Sequence, residues 1–278
     1  MKTLPRIVTT TLSSLLFAAA IICPSSACAA LIAQYHFDES AGSTAFDSAG
    51  SFNGTLSATG ASFVPGGISG NAISLTQAMG GLVNMGTSFP AFTSGNFSIV
   101  LWVNTTTTAA DTIPLAKHKA GVQNGYLFAI NTTGGGGALN KATFTAGSEF
   151  VSQSPTSTSS VNDGTWHQLV GVYNAGGTHS IYVDGAPAEA GTTSQSIPDL
   201  GAPFLIGGVR EIAGTNNPEA RYTGLIDEVQ VYNQALTNAQ IDFLFQNPAQ
   251  VIPEPGALSL LGFGLIGWAT FKRRNRNA

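Results

Sequence analysis

Asp163-Gly164-Thr165-Trp166-His167-Gln168-Leu169-Val170-Gly171-Val172-Tyr173 is followed by Asn174-Ala175-Gly176-Gly177-Thr178 and then by His179-Ser180-Ile181-Tyr182-Val183-Asp184-Gly185. Two β-rich runs around a Gly-rich break predict a hairpin. Asp163-Gly164 turns the chain in and Asp184-Gly185 turns it out, since glycine accepts positive φ without steric cost. The first run is apolar on both parities. Trp166, Val170 and Val172 share one face, and Leu169 and Tyr173 the other. A strand buried on both faces belongs in the middle of a layered sheet, not at its edge.

Outward from the hairpin, Phe97, Ile99, Leu101 and Val103 alternate along a further strand. Strands are also predicted over 31–37, 113–117, 126–130, 204–206 and 225–232. One short helix is signalled by Thr237-Asn238-Ala239-Gln240, a capping box, with Leu236 and Ile241 as its hydrophobic staple. The Ser/Thr-rich stretch 152–160 reads as an exposed loop, and the four glycines 134–137 as a flexible one. No Lys-Ser or Lys-Thr follows those glycines, so they are not a phosphate cradle.

The ends carry different signals. Lys2 and Arg6 precede an apolar stretch over 7–22 and a small-residue cleavage site, Ala27-Cys28-Ala29. These features predict a secretory signal peptide over 1–29, removed after Ala29 by signal peptidase. Both cysteines, Cys23 and Cys28, leave with it. The mature chain then has neither disulfides nor thiol chemistry. At the other end, Val251-Ile252-Pro253-Glu254-Pro255 precedes an apolar run over 256–271 and Lys272-Arg273-Arg274-Asn275-Arg276. As a helix that run is ~24 Å long, short for a ~30 Å hydrocarbon core but workable with local thinning. The basic end is expected to stay cytoplasmic.

Between the ends, 30–250 reads as one all-β domain. Residues 31–250 hold 5 Lys and Arg against 14 Asp and Glu, a net charge of −9. So acidic a domain lacks the footprint of a nucleic-acid binder and favours cations.

The family resemblance rests on four motifs in order. Asp163-Gly164-Thr165-Trp166-His167 with Tyr182-Val183-Asp184-Gly185 resembles the laminin-G-like branch of the concanavalin A-like sandwiches. Gly67-Ile68-Ser69-Gly70-Asn71-Ala72-Ile73, Phe97-Ser98-Ile99-Val100-Leu101-Trp102-Val103 and the stretch 224–236 resemble further strands of that family. The resemblance implies an antiparallel β-sandwich, or jelly roll, over roughly 31–247. The tail, with Pro253, Glu254 and Pro255, resembles the PEP-CTERM sorting signal over 251–278. That likeness implies a Gram-negative, exopolysaccharide-producing bacterium, with transient anchoring in the inner membrane by the tail helix. It also implies an exosortase that removes the tail.

Asp227 shares strand parity with Leu225, Val229 and Val231, so it is expected to point with an apolar set. A buried carboxylate is paired, hydrogen-bonded or metal-bound. The family's adjacent first and last strands imply that Asp38 and the Asn53 turn lie near Asp227. Asp38, Asn53 and Asp227 would then hold one structural calcium through hard oxygens. The alternative is a carboxylate capping backbone N–H groups in a bend.

Catalytic signals are few. His167 beside Trp166 reads as structural, and His36, His118 and His179 are isolated. A glycosidase needs two suitably separated carboxylates, whereas Asp227 and Glu228 are adjacent and expected on opposite faces. Trp102, Tyr126, Trp166 and Tyr222 are candidates for stacking on sugars, with Trp102 and Trp166 also suited to the core. The reading is an exported, non-enzymatic domain that binds exopolysaccharide or a surface glycan. The competing readings are a matrix or adhesion protein without a small ligand, and a polysaccharide hydrolase.

Overall fold

The structure is a computed structural model. It describes residues 29–253 except 120–123, 133–137, 148–153, 177, 193–196, 198–200 and 211–217. The expected signal peptide up to Cys28, the glycine run 134–137, the residues Glu254 and Pro255 and the apolar tail lie outside the described residues. Among the described residues no helix is long and apolar enough to cross a membrane.

In chain order the strands begin with β1 (Leu31–Tyr35), β2 (Thr44–Ala45), β3 (Gly54–Leu56), β4 (Ala61–Pro65), β5 (Asn71–Leu75) and β6 (Val83–Asn84). There follow β7 (Phe97–Asn104), β8 (Thr112–Lys119), β9 (Asn124–Ile130), β10 (Ala142–Ala146), β11 (His167–Asn174) and β12 (Thr178–Val183). The last are β13 (Ala186–Thr192), β14 (Leu205–Ile206), β15 (Gly208–Arg210), β16 (Pro218–Ala220) and β17 (Gly224–Tyr232). One sheet runs β13-β12-β11-β7-β17-β5-β4, with β1 also on β17. The other runs β10-β9-β8-β14-β6-β3-β2, with β15 and β16 attached through β8.

Register explains the core. Across the second sheet, Leu56, Val83, Ile206, Leu115, Phe128 and Phe144 stand in one row. All six face inward and are buried with Ile99, Leu101, Val103, Leu169, Ile181 and Val231 of the first sheet. The expected hairpin is β11 and β12, paired from Leu169 with Val183 to Asn174 with Thr178. Strand β11 is interior, between β12 and β7. Leu169 and Tyr173 enter the inter-sheet core, whereas Val170 and Val172 face outward into a second apolar cluster.

That second cluster is covered by the helix α1 (Asn238–Gln246). The capping box is complete: Gln240 N–H donates to Thr237 Oγ1, and Thr237 N–H to Gln240 Oε1. Leu236 and Ile241 meet in the cluster, as a staple requires. Phe245 stacks on Trp102 with centroids 5.7 Å apart.

Two expectations are corrected. The 152–160 stretch is not wholly an exposed loop, because Ser154 and Ser157 are buried and Thr156 bridges to Thr143 of β10. Asp227 does not share a face with Val229 and Val231. A β-bulge interrupts β17 between Asp227 and Gln230, and Glu228 there has φ 45°. The extra residue flips the parity, so Ile226, Val229 and Val231 all reach the core.

Candidate functional site

The bulge decides what the acidic residues do. Asp227 stands opposite Trp102 of β7 and is fully buried. Its Oδ2 accepts from Ser69 N–H at 3.1 Å and its Oδ1 from Glu228 N–H at 2.8 Å, while Ile68 N–H adds a further bond. Burial pushes its carboxyl up to about 8 against the pull of these donors. Asp38 Oδ1 accepts from Asn71 N–H at 2.8 Å. The two carboxylates thus clamp one turn, 67–71, from opposite ends. A Cβ on Gly67 would strike Asn71 O and Asp227 Oδ2, and one on Gly70 would strike Asp38 Oδ1. The glycines of this motif are therefore space for carboxylates.

Glu228 turns to His36, whose Nδ1 lies 2.9 and 3.0 Å from the two carboxylate oxygens. His36 is thus not isolated, and this hydrogen bond raises its pKa above the ordinary value. Burial also raises Glu228, with His36 pulling it back down.

Asn53 does not join this set. Its Oδ1 accepts from Asp47 N–H at 2.9 Å. Asp47 in turn organises the neighbouring loop through Gln34, Ala49, Gly50 and Phe52 N–H groups, each at 3.0 Å. Calcium needs several oxygens converging on one point. Here both oxygens of Asp227, Asp38 Oδ1 and Asn53 Oδ1 accept from backbone N–H groups, and Asn53 serves a different loop, an arrangement that does not fit calcium. Among the described residues no three His, Cys, Asp or Glu side chains are grouped to hold a metal.

Of the aromatic candidates, Trp102 is in the core, as its strand spacing implied, and the two tyrosines are not open for stacking. Tyr126 and Tyr222 are fully buried, Trp102 lies under Phe245, and Trp166 is half-buried. None offers an open ring face on the described surface comparable to that of Phe46, which is 60% exposed.

Phe46 directly follows β2, the edge strand of the second sheet, whose neighbour β3 helps to line a groove. The outward row there is Thr44, Thr55, Asn84, Leu205, Ala116, Leu127 and Thr145. From Leu205 to Thr145 it is buried, and the 154–157 segment pairs antiparallel along the edge of β10, where Ser154 Oγ is 3.0 Å from Thr145 Oγ1. At Thr44, Thr55 and Asn84 it is open. A groove of about 490 Å³ lies on this end, lined by Asn53, Thr55, Ser57, Leu82, Asn84 and Met85 among others. Thr44 pairs with Thr55 and Ala45 with Gly54, and Phe46 is the next residue beyond this pairing. Ala45 points in and Phe46 points out. The alternation Thr44-Ala45-Phe46-Asp47 held this signal, but nothing in so short a run separates an exposed Phe from a core one. A second hollow of about 520 Å³, lined by Gln77, Asn104, 105–107 and Thr223, has no aromatic wall.

Comparison with known proteins places this geometry in a family. The chain belongs to the concanavalin A-like lectin/glucanases superfamily, whose laminin-G family model matches residues 79–242. Residues 251–274 match the PEP-CTERM protein-sorting motif, so the chain is an exported protein sorted to the cell envelope. Among curated proteins none matches the chain. The solved structures it resembles include domain 4 of AbnA, a GH43 extracellular arabinanase from Geobacillus stearothermophilus, in complex with arabinotriose. That match has 21% identity and TM-score 0.53, covering 78% of this chain and 99% of that one. Trypanosoma rangeli sialidase is similar at 20% identity and TM-score 0.56, over 78% of this chain. The chain spans only 33% of that sialidase. The binding domain of Paraclostridial Mosquitocidal Protein 1 follows at 15% identity and TM-score 0.51, over 77% of this chain and 51% of that one. At these identities the likeness is one of fold, and the fold occurs in glycosidases and in non-enzymatic lectins alike.

Proposed function

We propose that this is a non-enzymatic carbohydrate-binding protein of a Gram-negative cell envelope. Its ligand is a surface glycan or exopolysaccharide, and its tail anchors it in the inner membrane until an exosortase removes it. The observation that carries the reading is Phe46, 60% exposed just past β2, whose partner strand β3 gives Thr55 to the groove that Asn53 and Asn84 also line. An aromatic face buries the apolar C–H side of a sugar ring, and amide and hydroxyl groups pair with its hydroxyls from both donor and acceptor sides.

Two further points support a binder over a hydrolase. Glycoside hydrolysis needs an acid and a base free to face the same bond. Asp227 is held by backbone N–H groups, and Glu228 by His36. The arabinotriose complex of the arabinanase domain is consistent with sugar binding on this fold.

The test is a glycan array and affinity electrophoresis in exopolysaccharide gels, using secreted protein and its Phe46→Ala variant. Retention that is lost in the variant supports the reading. A chain that binds no glycan, or binds equally well without Phe46, sinks it. Release of reducing sugar from the polysaccharide would establish the hydrolase instead.

A further inference from the structure

The segment that leads to the sorting motif is held on the domain. After α1, Gln250 N–H donates to Asn247 O at 3.0 Å and closes a turn. The Gln250 carbonyl then accepts from Gln230 Nε2 at 2.8 Å. Ile252 N–H donates to Tyr232 Oη at 3.4 Å, and that hydroxyl donates to Gln230 Oε1 at 2.7 Å. Two side chains of β17 thus close a relay of hydrogen bonds around 250–252. The Ile252 side chain is 5% exposed, packed in the cluster of Val100, Val172, Tyr232 and Leu244, while Val251 between the two contacts is 37% exposed. Pro253, which opens the Pro-Glu-Pro motif, follows directly.

The other processing junction occupies the same cluster. Ala29, the last residue of the expected signal peptide, is 3% exposed there. Ala30 N–H donates to Asn233 Oδ1, and Asn233 N–H donates to Ala30 O, both at 3.1 Å. The same strand, β17, and the residue after it therefore hold both ends of the domain.

We infer that docking of 250–252 on β17 restrains proteolytic processing at the sorting motif. A protease acts on a segment that has left its packing, so its rate follows the population of the opened form when opening is fast. Two hydrogen bonds and one buried side chain form a small local unit that opens without unfolding the sandwich. The folded domain thereby sets the rate at which its own tail is removed, and Ile252 returns to the cluster after the cut. This inference rests on the sorting motif and the linker contacts, and is independent of glycan binding.

The test uses the full chain, expressed in a host that carries an exosortase. Pulse-labelling followed by intact mass measures the ratio of unprocessed to processed protein. Tyr232→Phe keeps the packed ring and removes only the hydroxyl, and it leaves the substrate sequence untouched. Ile252→Ala removes the anchor, and Val251→Ala serves as a control on the exposed neighbour. Ile252→Ala is expected to speed processing by about tenfold and Tyr232→Phe by a few-fold, with Val251→Ala unchanged. Hydrogen exchange at the Ile252 amide should rise in the two active variants. If that exchange rises in Tyr232→Phe but processing keeps the wild-type rate or slows, the inference is overturned.

Discussion

His167 Nδ1 lies 2.7 Å from Asp184 Oδ2, and through this contact the turn entering the central hairpin is tied to the turn leaving it. His167 Nε2 also lies 3.2 Å from Asp163 Oδ1, and Gln168 N–H donates to Asp184 Oδ1 at 2.9 Å. Asp184 itself has φ 52° in the two-residue turn between Val183 and Ala186. The Asp-Gly, Trp-His and Asp-Gly pieces of the motif are thus one clamp, and its histidine is structural.

The hydrogen bond to Asp184 is the first cause that raises the His167 pKa. A histidine raised in the fold contributes most below its unfolded value of ~6.5, and the contribution fades as pH climbs through the folded value. His167→Ala is expected to cost about 1–2 kcal/mol at pH 5.5 and less at pH 8.5. Urea unfolding at the two pH values checks this. An equal loss at both would mean that the ring acts by packing alone.

His179 behaves in the opposite sense. It is 1% exposed, edge-on to Phe144 at 6.1 Å, and neither ring nitrogen has a hydrogen-bond partner among the described residues. Burial lowers its pKa to about 4. The unfolded chain therefore takes up a proton that the folded chain refuses, and stability falls as pH drops below ~6.5, by up to ~1.4 kcal/mol per unit. His179→Phe should raise the unfolding midpoint at pH 5 by more than at pH 7.5. A gain of the same size at both would show that the ring is not held neutral.

The turn 67–71 is expected to tolerate no side chain at its glycines. Gly67→Ala would press on both Asn71 O and Asp227 Oδ2, and should cost about 2–3 kcal/mol by displacing a buried carboxylate from its donors. Because backbone donors already hold both oxygens of Asp227 and Oδ1 of Asp38, chelator or millimolar calcium should move the melting temperature by less than about 1 °C. A rise of several degrees with calcium, lost in Asp227→Asn, would instead make the turn a metal site.

At the groove, Phe46→Ala is expected to weaken glycan affinity by about tenfold or more, the stacking share of such a contact. Asn84→Ala should weaken it too, but it also removes the acceptor for Gly86 N–H, 2.8 Å from Asn84 Oδ1. Calorimetry with the glycan found on the array separates the two. Phe46→Ala should leave the melting temperature unchanged, whereas Asn84→Ala should lower it. If Phe46→Ala binds normally, the aromatic platform is elsewhere.

Much of this protein is written locally. The alternation of Phe97, Ile99, Leu101 and Val103, the turns at Asp163-Gly164 and Asp184-Gly185, and the capping box at Thr237 each depend on neighbours a few residues away. Periodicity and turn chemistry suffice for such features. The sorting motif is local too, since it is read as a linear segment. What only the tertiary structure decided depends on register. One extra residue at Glu228 turned Asp227 off the apolar face, because strand parity is a period of two and any bulge inverts it. Partners far along the chain then settled each charge: the 67–71 turn for Asp227 and Asp38, His36 for Glu228, and Asp47 for Asn53. Exposure was settled in the same way. Phe46 and Phe97 are the same residue type, and only their placement, Phe97 between the two sheets and Phe46 turned to solvent, makes one a core residue and the other an open ring.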